Sequence, residues 1–276
     1  MFGWFKKKDI QKEAEDNSYQ DEVDLSNFNV VADFMYKECG ITDLDKRVLS
    51  FSRLKQFAKE QNIKNTNDFL DLLKQKGDIY HQALNIVTVN ETYFFREKKE
   101  LDYLVQYIKN SPNRLKILSL PCSSGEEIYS ILIMMLIEGI ELSKVEITGY
   151  DIDFQMIQKA KEAIYDEHSL HNLPTHIKDE YLDKVSDTKY GIKSFIKNGV
   201  IFQQENVFDL SNSTKKFDIV LSRNMMIYFD EQKRQKALSI ISELLVMDGL
   251  FIKGHADSIK PIDSLKNIAF GIYKKV

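Results

Sequence analysis

Apolar residues recur three or four positions apart in the N-terminal part of the chain. Between residues 25 and 89 this spacing is typical of amphipathic helices, and Gly40 and Gly77 are natural helix ends. The pattern predicts a small all-helical N-terminal domain over residues 25–89. Representative apolar positions are Phe28, Val31, Phe34, Met35, Leu49, Leu54, Phe57, Phe69, Leu70 and Leu73.

From residue 90 to residue 276, short apolar runs of strand type alternate with helical segments. One helix with Leu101 and Leu104 on its apolar side precedes the first run, and a helix over residues 230–246 precedes the last. This alternation predicts an open α/β sheet of mainly parallel strands. The predicted strands cover residues 115–120, 145–150, 200–204, 217–222 and 250–253.

Residues 166–199 interrupt the alternation and predict a small inserted β-subdomain. They are polar, and a partial alternation over residues 190–200 predicts a hairpin. His168, His171 and His176 lie close together in this segment. Because no cysteine is nearby and the H-E-x-x-H spacing is absent, the sequence does not favour a metal site.

The chain begins with MFGWFKKK, followed by polar and acidic residues without apolar periodicity. We interpret residues 1–24 as a flexible tail. An apolar tip beside three lysines leaves docking on a partner or a membrane surface as the alternative.

Composition narrows the class of protein. A net charge of -4 gives no general attraction to nucleic acid, and the longest apolar run, residues 128–137, is half of the roughly 20 residues that a membrane span needs. Two cysteines are too few for a disulfide scaffold and fit a reducing compartment. We therefore expect a cytoplasmic protein with no membrane span and no nucleic-acid partner.

Residues 115–130, LKILSLPCSSGEEIYS, predict a strand, a small-residue loop and a helix N-terminus, which is the arrangement of a nucleotide-binding turn. The loop has one glycine, Gly125, and lacks the G-x-G-x-x-G pattern of dinucleotide sites, which makes an NAD dehydrogenase the weakest alternative. Glu126 and Glu127 would repel a phosphate. These features favour a ligand with hydroxyls and positive charge, such as S-adenosylmethionine.

Polar residues follow the later predicted strands. Asp151 ends the second strand, where doubly wound folds bind ribose hydroxyls, while Asp153 is placed to cap the next helix. Asn206 follows the third strand, where an amide could bind an adenine edge. Arg223 and Asn224 come directly after the fourth strand and should point into the ligand crevice.

Two further groups complete the candidate site. Asn90, Thr92 and Arg96 stand at alternate positions and can converge on a carboxylate such as the methionyl end of the cofactor. Tyr228 is either a buried aromatic or a residue that lines the cleft mouth over the reacting methyl group. The candidate catalytic residues are Tyr228 and Arg96.

Basic residues are concentrated in the second predicted helix of the helical domain. They form either a solvated helix face or a docking surface for an acidic protein partner. These residues are Lys46, Arg47, Arg53, Lys55 and Lys59.

Four segments together resemble the CheR family of chemotaxis receptor methyltransferases over residues 25–276. They are NETYFFR, PCSSGEEIYS, GYDID and FDIVLSRNMMIYFD, in this order. The resemblance implies transfer of a methyl group from S-adenosylmethionine to glutamate side chains of chemotaxis receptors, with S-adenosylhomocysteine as product. It also implies a helical domain, a seven-stranded Rossmann-like methyltransferase sheet and an inserted β-subdomain.

The resemblance assigns ligand contacts by position. The cofactor-binding residues it implies are Asn90, Thr92, Arg96, Glu126, Asp151, Asn206, Val207, Arg223 and Asn224, with Tyr228 beside the acceptor pocket and no metal. It also implies that the basic helix faces the receptor. One departure is Gly254-His255-Ala256-Asp257, where the family usually has a G-H-S-E-like turn.

Two other functions remain open from the sequence. The chain could be a non-catalytic module of the same fold that binds S-adenosylmethionine or docks on receptors, although the ligand-facing positions are all occupied. It could also methylate a small molecule or a nucleic acid, which the acidic net charge disfavours.

Overall fold

The computed structural model describes residues 24–88, 91–260 and 262–276. The predicted tail, residues 1–24, therefore lies almost entirely outside the described residues, as does Asn90. The α-helices are α1 (Asn29–Cys39), α2 (Val48–Glu60), α3 (Thr66–Lys74), α4 (Asp78–Val87), α5 (Lys98–Asn110), α6 (Glu126–Ile137), α7 (Phe154–Glu162), α8 (Thr175–Tyr181), α9 (Ser194–Lys197) and α10 (Glu231–Leu244).

The strands form two sheets. They are β1 (Leu115–Ser119), β2 (Val145–Asp151), β3 (Ile164–Asp166), β4 (Leu182–Lys184), β5 (Lys189–Ile192), β6 (Ile201–Gln204), β7 (Phe217–Ser222), β8 (Leu245–Lys253), β9 (Leu265–Ala269) and β10 (Ile272–Lys275). Short 3-10 turns cover Leu142–Lys144, Val207–Asn212 and Met226–Tyr228.

Helices α1 to α4 pack around their own apolar core. Phe28 and Phe69 stack at 5.7 Å between ring centroids, and both are buried with Met35, Leu54 and Leu84. Gly40 ends α1 in the left-handed conformation, as its position predicts, whereas Gly77 precedes α4 instead of ending α3. Apolar burial at helical spacing thus accounts for this cluster.

The main sheet has seven strands in the order β6-β2-β1-β7-β8-β10-β9. Strands β6, β2, β1, β7 and β8 are parallel, and β10 runs antiparallel to both of its neighbours. Ile117 of β1 faces Ile147 on one side and Ile219 on the other. The strand order reverses around β1, which is where open α/β sheets bind ligands.

Both faces of this sheet are covered. Helices α5, α6 and α7 share one apolar core with the inserted segment, and α10 packs on the opposite face. Because α5 and α9 also contact it, α6 is buried on nearly all sides, which explains its almost continuous apolar sequence. Asp153 and Asp230 cap α7 and α10 by accepting hydrogen bonds from main-chain N–H groups.

The inserted segment forms a three-stranded antiparallel sheet in the order β3-β5-β4. The predicted hairpin over residues 190–200 is wrong, because β5 ends at Ile192 and the short helix α9 follows. The partners of β5 come from residues before it in the chain, and Phe195 is half exposed while Ile196 is buried.

Two further boundaries differ from the sequence predictions. Strand β8 starts at Leu245, which shortens the preceding helix, and β9 and β10 follow it without having been predicted. Lys46 and Arg47 lie in the turn before α2 and not within it. Within the described residues, none of the helices is both long and apolar enough to span a bilayer.

Candidate active site

A cleft of about 1230 Å³, counted with its opening to solvent, lies at the carboxyl ends of β1, β2, β6 and β7. The helical cluster contributes to its wall through Cys39, Ile41 and Thr88. The sequence-predicted residues that line this cleft are Thr92, Arg96, Asp151, Asn206, Val207, Arg223, Asn224 and Tyr228.

The loop between β1 and α6 forms the floor of the cleft. The Cys122 N–H donates to the Tyr150 carbonyl at 2.8 Å, and the Ser123 N–H donates to Asp151 Oδ2 at 2.8 Å. Ser123 adopts a left-handed backbone conformation, with φ 46°. These bonds fix the loop to the end of β2, so that loop and strand form one rigid surface.

Asp151 is buried at the end of β2 and lines the cleft. Its second oxygen, Oδ1, accepts from the Asp153 N–H at 2.9 Å. Burial raises the pKa of Asp151 to about 6, while its hydrogen bonds from main-chain N–H groups act in the opposite direction. The carboxylate therefore stands with limited solvation at the position predicted for a ribose contact.

Glu126 is the predicted residue that the structure does not bring to the cleft. Its carboxylate is 2% exposed and accepts from the Ser124 hydroxyl at 2.8 and 2.9 Å. Its neighbour Glu127 lines the cleft instead. Successive side chains on a helix point about 100° apart, so two adjacent glutamates cannot face the same ligand in the same way.

Arg223 follows β7 and is held between two carboxylates. Its Nη1 donates to Glu127 Oε2 at 2.7 Å, and its Nη2 donates to Glu97 Oε2 at 3.2 Å. Burial opposes the charge on the guanidinium, but Glu127 and Glu97 outweigh it and raise the pKa of Arg223. The sequence analysis places Glu127 in the cofactor loop but misses Glu97 and the pairing of both acids with Arg223, because nothing in their spacing indicates that they share one arginine.

Asn224 has a left-handed backbone, with φ 61°, and its N–H donates to Asp257 Oδ2 at 2.6 Å. The same oxygen accepts from the Gly254 N–H at 3.1 Å. A Cβ on Gly254 would lie 2.7 Å from the Asn224 nitrogen, so only glycine permits this approach. The turn at residues 254–257 therefore holds the main chain of Asn224 in place.

Thr92 and Arg96 lie in the loop before α5 and line the cleft. The guanidinium of Arg96 donates to the Glu91 carbonyl and lies 5.6 Å from the Tyr93 ring centroid. No carboxylate lies within ion-pair distance of Arg96 among the residues that the structure describes. Arg96 is therefore available to a ligand carboxylate, whereas Arg223 is already paired.

Asn206 lines the cleft but uses its amide within the protein. Nδ2 donates to the Glu38 carbonyl at 2.7 Å, and Oδ1 accepts from the Phe208 N–H at 3.1 Å. The side chain thus joins the helical cluster to the end of β6. Val207 follows it and is buried in the cleft wall.

Tyr228 joins the cleft to the basic segment of the helical cluster, which contains Lys46, Arg47, Arg53, Lys55 and Lys59. Its carbonyl accepts from the Thr42 N–H at 2.9 Å, and the Arg47 guanidinium lies 5.1 Å from its ring centroid. Arg47 Nη2 also donates to the Ile227 carbonyl at 3.3 Å. Tyr228 is half-buried, with its ring between the cleft and a cation.

Residues 90–272 match the family described as CheR methyltransferase, SAM binding domain. The chain belongs to the CheR methyltransferase family. The relatives called "Chemotaxis protein methyltransferase" include one from Borreliella burgdorferi, 34% identical over 94% of this chain and 99% of that protein. Others are from Campylobacter jejuni, 34% identical over 90% and 93%, and Escherichia coli, 26% identical over 86% and 86%.

Membership of the CheR family confirms the predicted family, the Rossmann-like methyltransferase fold and S-adenosylmethionine as the cofactor. The chemistry of the cleft fits that ligand. Carboxylates outnumber guanidinium groups in its wall, which suits a molecule with an ammonium and a sulfonium. The acids are Glu91, Glu127, Asp151 and Glu205, and the cations are Arg96 and Arg223.

Two more observations support the fit of the CheR cofactor. Leu120, Ile152 and Val207 give the cleft an apolar part suited to an adenine ring. The hydroxyl of Ser123 is buried at the cleft without a hydrogen-bond partner among the described residues. A buried hydroxyl in that state is a natural contact for a polar ligand.

One group of side chains in the described residues resembles a metal site. Glu97, Glu100 and His255 place one ligand atom each within 4.8 Å of one another. These atoms already bond within the protein, since His255 Nε2 contacts Glu100 Oε1 at 2.5 Å and Glu97 pairs with Arg223. His168 and His171 stack at 5.9 Å between ring centroids.

Proposed function

We propose that this CheR family protein transfers the methyl group of S-adenosylmethionine to glutamate side chains of methyl-accepting chemotaxis receptors. The products are glutamate methyl esters and S-adenosylhomocysteine. The observation that carries the proposal is the cleft at the carboxyl edge of the sheet, which gathers polar side chains from five separate segments between residues 91 and 228. The relatives named as chemotaxis protein methyltransferases support the choice of acceptor protein.

The reaction asks mainly for binding and orientation. When bound, S-adenosylmethionine supplies a methyl group on a sulfonium, which is already activated for transfer. A glutamate side chain has an ordinary pKa of about 4.3 and is ionised at neutral pH, so no strong base is needed. Orientation in a closed cleft can supply about 7 to 11 kcal/mol of the barrier.

Each part of the cofactor has a proposed partner in the cleft. Asp151 would accept from the ribose hydroxyls, and Arg96 would bind the methionyl carboxylate with a charged fork. Glu127 would face positive charge on the cofactor. The apolar wall around Val207 would hold the adenine.

Tyr228 is the proposed acceptor-side residue. Its ring lies in the cleft wall, and the guanidinium of Arg47 also contacts this ring. We assign it to holding the incoming glutamate in line with the methyl group and to excluding water. Arg96 shares the catalytic assignment, because it would hold the cofactor still while the acceptor approaches.

The proposed receptor-binding surface is the basic segment defined by Lys46, Arg47, Arg53, Lys55 and Lys59. Arg47 of this segment donates to the Ile227 carbonyl, and its guanidinium lies over the ring of Tyr228 at the cleft. A positive surface that leads to the cleft suits an acidic receptor segment. The receptor domains it would meet are cytoplasmic, and a cytoplasmic location of this protein belongs to the same proposal.

The alternative is a non-catalytic module that binds the cofactor or the receptor.

A labelling experiment distinguishes the two functions. The full chain is incubated with methyl-labelled S-adenosylmethionine and receptor cytoplasmic fragments, and label is mapped by mass spectrometry. We expect base-labile label on glutamate side chains. Binding of S-adenosylhomocysteine by calorimetry without label on any glutamate would contradict the proposal and favour the module.

A further inference from the structure

Glu97 lies behind the cleft and is not one of the residues proposed to contact the cofactor. Its Oε2 accepts from Arg223 Nη2 at 3.2 Å and from the His255 N–H at 3.1 Å. Its Oε1 lies 3.5 Å from Asn224 Nδ2. One carboxylate thus touches both residues of the Arg-Asn pair and the turn at residues 254–257.

Glu97 and its partners come from three segments that are distant in sequence. Arg223 and Asn224 follow β7, His255 follows β8, and Glu97 itself stands at the start of α5. Asp257, in the same turn as His255, accepts from the Asn224 N–H at 2.6 Å. The segments are therefore joined in a closed ring of hydrogen bonds around Asn224.

The backbone of Glu97 has an energetically unfavourable conformation. Its φ is 51° and its ψ is 55°, a left-handed conformation that is uncommon for residues other than glycine, asparagine and aspartate. Such conformations persist where surrounding contacts determine them, and they cluster at functional sites. Only 12% of the side chain is exposed.

Charge explains why a carboxylate is needed at this position. Arg223 is buried, and its Nη2 also donates to the Arg96 carbonyl at 2.5 Å. If Glu97 lost its charge, Glu127 would be the one carboxylate left beside the guanidinium among the described residues. Each half of a guanidinium can bind a separate carboxylate, and a charged acceptor holds an N–H group more strongly than a neutral carbonyl does, so the second acid holds Nη2 more firmly than the Arg96 carbonyl alone. Burial works to raise the pKa of Glu97, but Arg223 and the His255 N–H outweigh it, and the pKa lies below its ordinary value.

We propose that Glu97 is a positioning residue that fixes the orientation of Arg223 and Asn224 at the cleft and thereby sets the affinity for S-adenosylmethionine. The inference rests on the proposed assignment of Arg223 and Asn224 to the cofactor. It does not depend on which acceptor receives the methyl group.

The first measurement is calorimetric titration of S-adenosylhomocysteine into the full chain and its Glu97→Gln variant. Glutamine keeps the shape and removes the charge. We expect the dissociation constant to rise about tenfold, because Arg223 loses one of its two carboxylate partners. A rise of less than threefold overturns the inference.

The matched control is Asp102→Asn, which neutralises an exposed carboxylate on the same helix, where Asp102 pairs only with Lys98. We expect its dissociation constant to stay within twofold of the original. An equal loss in this variant overturns the inference, since the effect would then reflect net charge and not the contact with Arg223.

The second measurement separates positioning from a merely structural role. We expect Glu97→Gln to weaken binding by less than threefold in an Arg223→Lys background, because lysine lacks the planar fork that holds two carboxylates. An effect of threefold or more in that background overturns the inference.

A further variant covers the case in which Glu97→Gln does not fold. Glu97→Gly removes the carboxylate and suits the left-handed backbone, so its thermal midpoint should not fall while its affinity does. Unchanged affinity in Glu97→Gly overturns the inference. Failure of the original chain to label receptor glutamates contradicts only the proposed function, since all of these measurements use binding.

Discussion

At the scale of one residue, Asp151 shows that a buried carboxylate suited to ligand binding lowers the stability of the folded protein when it is ionised. The carboxyl group is buried with two main-chain N–H donors, and its pKa is raised to about 6 because burial outweighs those donors. In the unfolded chain it would have a pKa near 3.8. The folded protein therefore binds this proton more tightly than the unfolded chain does.

The first prediction concerns the pH dependence of unfolding. Because the folded state holds more protons between pH 4 and pH 6, the contribution of Asp151 to stability is present below its unfolded pKa and lost as pH rises through about 6. The loss between pH 4.5 and pH 7.5 should be about 2 kcal/mol. Urea unfolding at both pH values measures it.

Asp151→Asn is the matched variant, and it should lack this part of the pH dependence. Relative to the original protein, its free energy of unfolding should be about 2 kcal/mol higher at pH 7.5 than at pH 4.5, because only the original protein loses stability over that range. A parallel pH dependence in both proteins would contradict the raised pKa. The variant should also bind S-adenosylhomocysteine at least tenfold more weakly, about 1.4 kcal/mol, as calorimetry would detect.

Single residues also show what sequence patterns can and cannot predict about the cleft. Asp151, Arg223 and Asn224 directly follow predicted strands, and parallel strands end at one edge of a sheet. The choice between Glu126 and Glu127 depends on the rotation of α6, which the sequence alone did not determine. Glu97 and Asp257 act across long sequence separations, which local patterns do not record.

At the scale of elements, the loop between β1 and α6 depends on how closely β2 packs beneath it. A Cβ on Gly149 of β2 would lie 2.7 Å from Ile128 Cδ1 and 2.9 Å from Cys122 Cβ. These atoms belong to α6 and to the floor of the cleft. Glycine in this strand therefore permits the close contact between strand, helix and loop.

The prediction at the scale of elements follows from that contact. Gly149→Ala should destabilise the protein by about 1 to 3 kcal/mol, because the added methyl group overpacks a buried contact. Urea unfolding measures the change. The control is Gly77→Ala, where no atom lies within 4 Å of the added Cβ and the cost should stay below about 1 kcal/mol. Equal losses in the two variants would contradict this packing argument.

Whole elements differed in how well they could be predicted. The parallel strands β1, β2, β6 and β7 lie within a residue of their predicted positions. Strands β1, β2 and β7 are mostly buried, and buried strands are short apolar runs, whereas Phe202 is the one buried residue of β6. Strand β9 was missed because Lys266, Asn267 and Ile268 are all exposed and do not alternate. The hairpin at residues 190–200 failed because weak alternation does not specify a partner strand.

At the scale of the whole molecule, the helical cluster completes the cleft that the sheet begins. Its basic segment reaches Tyr228 through Arg47, so the proposed receptor-binding surface and the proposed acceptor site are adjacent. The sequence predicts the basic segment but not this contact, because Arg47 and Tyr228 are separated by most of the chain. Their proximity exists only after the cluster docks on the sheet.

The prediction at this scale is that Arg47→Ala lowers kcat/KM for a receptor fragment about tenfold, or about 1.4 kcal/mol. The affinity for S-adenosylhomocysteine should stay within twofold, since Arg47 does not line the cleft. Methylation rates at several fragment concentrations give kcat/KM, and calorimetry gives the affinity for S-adenosylhomocysteine. Lys74→Ala, which removes an exposed cation paired with Asp71 on α3, should leave both unchanged. A loss confined to cofactor affinity would contradict the assignment.

Three hydrogen bonds across the seam between the helical cluster and the sheet end on main-chain carbonyls. Asn206 bonds to the carbonyl of Glu38, the Thr42 N–H bonds to the carbonyl of Tyr228, and Arg47 bonds to the carbonyl of Ile227. Peptide groups are present whatever side chains they carry. Substitutions on the outward surface of the cluster that spare Arg47 therefore leave these three hydrogen bonds in place, and with them the alignment of the cluster on the sheet.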